Sequence, residues 1–125
     1  DPSLTVRLVD SDRQPMRVII DPNDRIPKSS KVLTDGFATR HMTSDFRGLG
    51  ALLDMLGDLE IQRLLIEGGP FTINKFLEEN LVDEFILVQS AKEHKSPVKA
   101  DFNLESMEIS GTETWGEESV TIYTR

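Results

Sequence analysis

The sequence contains no cysteine. That absence excludes a disulfide scaffold, Cys-ligated zinc, an iron–sulfur cluster and a thiol nucleophile, and it suits a reducing compartment. Histidine is scarce, with two copies, His41 and His94, far apart in polar stretches. Without a third ligand nearby, no metal is expected and both read as solvated surface residues. Long apolar runs are missing as well, which leaves no membrane span, and no basic segment followed by an apolar stretch opens the chain as a secretion signal would. A cytoplasmic protein is expected. Basic residues are the minority, 14 Lys and Arg against 22 Asp and Glu, for a net charge of −8. That balance argues against nucleic acid, whose phosphates need clustered Lys and Arg. An anionic small molecule stays compatible, because a local site can be positive within a negative protein. Ser11, Ser29 and Ser30 have no His and Asp pattern around them, so nucleophilic hydrolysis has no support.

What is present fits one domain, residues 1–125. A chain of this length buries roughly two-thirds of its unfolded surface, enough for a core without staples. Arg17 to Ile20, Leu64 to Ile66 and Phe85 to Val88 are short apolar runs bounded by polar, Gly or Pro residues, and they read as strands buried on both faces. Between the first two, Leu49, Leu52, Leu53, Leu56 and Leu59 share one helical face that should pack against the sheet. Thr43 or Ser44 is placed to cap that helix, with Asp45 at the favourable end of its dipole. A second helix is predicted over Pro70 to Asn80: Ile73, Phe76, Leu77 and then Leu81 line one side, while Lys75, Glu78 and Glu79 face out. Pro70 suits its first turn, where the missing N–H is not needed.

Strand, helix, strand, helix, strand is the grammar of an α/β sheet with parallel crossovers. At the C-terminus the pattern changes. Met107 and Ile109, then Val120 and Ile122, alternate with polar residues, and Gly111 and Gly116 bracket the link, which predicts an antiparallel hairpin at the sheet edge. Trp115 reads as packing or turn-capping there, and Glu113, Glu117 and Glu118 as a solvated loop. Residues 10–15, 21–30 and 90–103 read as surface loops.

The segment richest in chemistry is Leu64-Leu65-Ile66-Glu67-Gly68-Gly69-Pro70-Phe71-Thr72. An apolar strand running into a Gly-Gly turn and then a helix points backbone N–H groups and the positive helix end at one place, which is an anion-binding arrangement. The glycines allow close approach and Thr72 adds a hydroxyl. The same pattern also fits a plain tight turn. Glu67 can accept hydrogen bonds from ligand hydroxyl or amine groups, or form a salt bridge to a Lys or Arg. The five-donor fork of Arg7 suits a phosphate or carboxylate, although on sequence alone a solvated surface Arg is the first reading.

Four blocks stand in a telling order: Asp1-Pro2-Ser3-Leu4-Thr5-Val6-Arg7; Arg17-Val18-Ile19-Ile20-Asp21 with Arg25-Ile26-Pro27 and Lys31-Val32-Leu33; Leu65-Ile66-Glu67-Gly68-Gly69-Pro70; and Leu81-Val82-Asp83-Glu84. Together they resemble the reductase domain of riboflavin biosynthesis, the C-terminal half of RibD-type deaminase/reductases. The resemblance implies a dihydrofolate-reductase-like fold, a three-layer α/β/α arrangement with a mostly parallel sheet and the C-terminal hairpin. It implies an NADPH-dependent oxidoreductase that delivers hydride to C1 of the ribose of a ribosylamino-pyrimidine 5′-phosphate, giving the ribitylamino form. By the family pattern Leu4, Arg7 and Glu67 would bind this small-molecule substrate. Gly68, Gly69, Pro70, Phe71, Thr72, Ile73, Asn74 and Lys75 would hold the NADPH phosphates, where the residues themselves had placed an anion. Neither route identifies a general acid, so no catalytic residue is named. A homodimer and a fused or associated deaminase domain are expected partners.

The chain also departs from the pattern. Family members carry a strand and helix before the Asp-Pro motif, a further strand between the equivalents of Gly36 and Leu49, and a Pro and Gly-Gly loop after Val88. Here the chain starts at Asp1, only Phe37 to Gly48 intervenes, and Gln89-Ser90-Ala91-Lys92-Glu93-His94 follows. The domain is therefore expected to be incomplete at its N-terminus and in two loops. A different class of function, a non-catalytic nucleotide-binding or dimerisation module, is the alternative.

Overall fold

The computed structural model describes residues 2–92 and 100–125. His94 lies outside them. The chain divides into two compact units, Asp1–Ile61 and Gln62–Arg125.

In the first unit, β1 (Arg17–Ile20) and β2 (Thr39–Met42) pair in parallel, joined through the one-turn helix α1 (Lys31–Thr34), and α2 (Leu49–Asp58) follows. Register sets Val18 beside Arg40 and Ile20 beside Met42. Side chains alternate along a strand, so Val18, Ile20 and Met42 share one face. Met42 is buried with Leu52 and Leu56 of α2, and Met16, Phe46, Leu53 and Met55 close the cluster. The leucine face is thus core, except that Leu59, just past the helix end, is 53% exposed. No side chain caps α2: Gly48 occupies the N-cap, and Asp45 instead accepts the N–H of Thr43 at 2.9 Å. The expected Thr43 or Ser44 cap is not formed, because the chain enters the helix through Gly48 at φ 102°, several residues later.

The opposite face of the β1–β2 pair carries Arg17, Thr39 and His41 beside Ile19. Arg17 there is buried, yet fully satisfied. Its guanidinium makes paired bonds to Asp35 at 2.6 and 2.7 Å and also donates to the carbonyls of Ser3 and Val32 and to Thr39 Oγ1. The bond to Asp35 raises the Arg17 pKa and lowers that of Asp35.

In the second unit, α3 (Pro70–Glu78) precedes a three-stranded antiparallel sheet in the order β3–β5–β4, built from β3 (Glu84–Gln89), β4 (Glu108–Trp115) and β5 (Glu118–Thr124). Pro70 sits at the start of α3, and Phe76 and Leu77 are buried while Lys75, Glu78 and Glu79 are exposed. The hairpin forms as the alternation predicts, with Gly116 at φ 66° in its two-residue link, a conformation glycine adopts without strain. A register shift between Ile109 and Gly111 bulges β4. Phe85 packs its ring against Phe102 and Tyr123, at centroid distances of 5.1 and 6.1 Å.

Four expectations are corrected. Among the described residues Leu64 to Ile66 forms no strand: a strand exists only by pairing, this segment makes no ladder, and Leu65 is 77% exposed. Phe85 to Val88 is a strand, but it pairs antiparallel with β5, and Ile86 and Val88 stay about half exposed instead of buried on both faces. The sheet is consequently not mostly parallel: the described residues hold one parallel pair and one antiparallel three-stranded sheet. Between Gly36 and Leu49, where the family strand is expected to be missing, a strand does form as β2, hidden in the sequence because Thr39-Arg40-His41-Met42 has no apolar run.

Candidate functional site

Glu67 to Lys75 form one turn and the helix start that follows it. Gly69 is the N-cap of α3, with extended backbone (φ −70°, ψ 172°) and no side-chain cap, and its carbonyl accepts the Ile73 N–H at 3.1 Å. Pro70 has no N–H, so the N–H groups of Phe71 and Thr72 are the orphan donors at this positive end. The two glycines differ in kind. A Cβ on Gly68 would come within 2.7 Å of Thr72 Cβ, so this position is held to glycine by close approach, whereas a Cβ on Gly69 would meet nothing within 4 Å. Open space and uncapped donors are what a phosphate needs, and the turn fits one.

Of the other residues expected here, Phe71 is 78% exposed. Thr72 and Ile73 are half-buried. Asn74 spends its side-chain amide on the chain: Nδ2 donates to the Asp101 carbonyl at 2.8 Å, and Oδ1 accepts the Asn103 N–H at 3.3 Å. The ammonium of Lys75 lies 2.7 Å from Glu78, whose hydrogen bond raises its pKa. Glu67 is exposed, and among the described residues it has no salt-bridge partner. A cleft of about 420 Å³ beside α3 is bordered by Asn74, Glu78, Asp101 and Glu105. Its acidic walls disfavour an anion.

Leu4 and Arg7 belong to the first unit. Leu4 is half-buried with φ 50°, a left-handed conformation rare for leucine. Arg7 is exposed and makes no hydrogen bond or ion pair among the described residues.

Sequence reasoning missed two clusters in this unit. One is the Arg17 hub. In the other, buried Asp21 accepts the N–H groups of Arg25 and Ile26 at 3.0 and 2.9 Å and lies 3.2 Å from His41 Nε2. These bonds, the backbone ones first, hold the Asp21 carboxyl below its ordinary range. His41 is therefore not the solvated surface residue expected, since its side chain is only 16% exposed. Asp21, Asp24 and His41 bring ligand-type atoms within 4.8 Å of one another, though both Asp21 oxygens already accept backbone N–H groups. The available signal was an Asp just past a strand and before a turn, a residue type that folds its carboxylate onto nearby backbone N–H groups.

The fold is shared with several solved structures. A RibD from Acinetobacter baumannii superposes with a TM-score of 0.81, covering 98% of this chain and 42% of that one at 23% identity. A pyrimidine reductase-like protein from Corynebacterium diphtheriae gives 0.56 over 88% of this chain and 49% of its own, at 15% identity. These likenesses define the class, a RibD-like α/β fold. Residues 1–92 match the family model described as RibD C-terminal domain, and the chain belongs to that family. Among curated relatives, the riboflavin biosynthesis protein RibD of Aquifex aeolicus is 35% identical over 112 residues, 74% of this chain and 32% of that protein. The 2,5-diamino-6-ribosylamino-4(3H)-pyrimidinone 5′-phosphate reductase of Archaeoglobus fulgidus is 27% identical over 115 residues, 67% of this chain and 52% of its own. The chain thus spans about a third of the RibD relatives it matches and half of the archaeal reductase. Among the described residues no helix is long and apolar enough to cross a membrane.

Proposed function

We propose that this chain is part of an NADPH-dependent reductase that converts a ribosylamino-pyrimidine 5′-phosphate to its ribitylamino form, within one three-layer, dihydrofolate-reductase-like domain. The observation that carries the reading is the family match across residues 1–92, which include the open, uncapped Gly68-Gly69-Pro70 turn. NADPH, when bound, supplies the hydride for the ring-opened sugar, whose C1 is reduced while its nitrogen takes up a proton. The protein's share is binding and orientation. The N–H groups of Phe71 and Thr72 and the Thr72 hydroxyl would hold a cofactor phosphate, with Gly68 to Lys75 as its cradle. Leu4, Arg7 and Glu67 would line the substrate. The activity belongs to a cytoplasmic homodimer, and the remaining length of the RibD relatives leaves room for a deaminase domain.

The test is calorimetric titration of the chain with NADPH and NADH, before and after Gly69→Asp. Nothing obstructs a side chain at this N-cap, and Asp caps helices about as well as any residue, so the variant should fold as stably as the original. It would nevertheless place a carboxylate where the phosphate belongs. Tight NADPH binding lost in the variant, with an unchanged melting temperature, supports the assignment. A folded original chain that binds neither nucleotide would overturn it in favour of a non-catalytic module.

A further inference from the structure

The segment from Ser3 to Val6 is pinned to the first unit at both ends, by residues that no substrate role accounts for. At one end the Ser3 carbonyl accepts a bond of 2.7 Å from Arg17 Nη1. At the other, the side-chain amide of Gln14 closes on the Val6 backbone twice: its Oε1 accepts the Val6 N–H at 2.8 Å, and its Nε2 donates to the Val6 carbonyl at 3.2 Å. Arg17 is a firm anchor, 3% exposed and locked by its paired bonds to Asp35 and by Thr39 Oγ1 at 2.7 Å. Between the pins the chain adopts a conformation it would otherwise avoid, with Leu4 at φ 50°. A leucine stays there only where its surroundings over-determine the backbone. Just beyond the second pin comes Arg7, exposed and without a partner among the described residues. A rigid strap thus ends in an uncommitted guanidinium, whose planar fork matches phosphate oxygens.

We infer that Gln14 and Arg17 are positioning residues: they hold the 3–6 strap so that Leu4 and Arg7 are already in place when a sugar phosphate arrives. This rests on the substrate role proposed for Leu4 and Arg7. Ordering the strap in advance removes an entropic cost from binding, so its release weakens the substrate side alone.

The test uses the whole 125-residue chain with Gln14→Ala, which frees Val6 without touching the buried hub, and with Arg17→Lys, which keeps the charge but cannot make the paired bonds. Four quantities are read: melting temperature, the rate of tryptic cleavage after Arg7 followed by mass spectrometry, and calorimetric affinities for ribose 5-phosphate and for NADPH. For Gln14→Ala the melting temperature should hold, cleavage after Arg7 should speed up, and ribose 5-phosphate should bind roughly tenfold more weakly, in keeping with the cost of small misplacements. NADPH affinity should not move. Arg17→Lys should show the same split with a lower melting temperature. The inference falls if Gln14→Ala leaves both cleavage and sugar-phosphate affinity unchanged, or if NADPH binding weakens in step with it, as a general loss of structure would produce. Should the original chain bind no ribose 5-phosphate, the substrate role is refuted. The cleavage rate then decides the strap alone, faster cleavage in Gln14→Ala upholding it and an unchanged rate refuting it.

Discussion

Glu60 and Asn80 do the same job at the ends of two helices. Each stands in left-handed backbone, φ 60° and 54°, and each ends its helix with the same pair of bonds: Glu60 N–H to Gly57 and Ile61 N–H to Leu56, Asn80 N–H to Leu77 and Leu81 N–H to Phe76. This is the Schellman motif, which usually places glycine where these residues stand. Asparagine tolerates the conformation and glutamate does so poorly. Glu60→Gly should therefore stabilise the chain by roughly 0.5 kcal/mol, after discounting the added freedom of glycine in the unfolded state. Asn80→Gly should gain less. Differential scanning calorimetry of both variants checks the order. At this scale the sequence is easiest to misread at Glu60, which does not belong to the type that its backbone favours.

The loop that follows β1 is organised by one carboxylate, and its acid response follows from that. Asp21 has its folded pKa lowered by the N–H groups of Arg25 and Ile26 and then by His41. A lowered folded pKa means that the stabilisation is fully present above the unfolded value of about 4 and is lost as pH falls through the folded one. Asp21→Asn should melt lower than the original at pH 7, and the two melting curves should converge below about pH 4. A constant gap down to pH 2.5 would show that Asp21 acts through its shape and not its charge. Elements whose pattern is local were legible in the sequence. The leucine face of α2, Pro70 at the start of α3 and the alternation of the C-terminal hairpin each carry their signal within a few turns or strand residues. Pairing with a distant partner was not: the apolar runs of β1 and β3 marked them as strands without saying what they pair with. β2 is a strand because β1 lies beside it, while Leu64 to Ile66 has the composition of a strand and pairs with no strand among the described residues. The Arg17 hub was hidden for the same reason, since its partners Ser3, Asp35 and Thr39 come from two stretches of chain well away from it in sequence.

For the molecule as a whole, the three-stranded sheet raises the question of its two outer strands. β4 blunts its edge with the bulge near Gly111 and with Glu108 and Glu113. Among the described residues the outer edge of β3 is less defended: past Glu84 at its start, Phe85 to Val88 contains no charge, proline or glycine, and Ile86 and Val88 are 47% and 44% exposed. Unprotected edges of this kind pair with other strands. If the chain forms the proposed homodimer across β3, sedimentation should show a dimer that Ile86→Lys converts to monomer, with the circular dichroism preserved. A monomeric original chain would remove the homodimer from the proposal. The unequal glycines of the 68–69 turn have a practical use as well. Since the chain lacks cysteine and Gly69 faces open space, Gly69→Cys installs a single thiol at the candidate phosphate cradle. An environment-sensitive dye attached there would turn the helix start into an optical reporter of whatever anion approaches it.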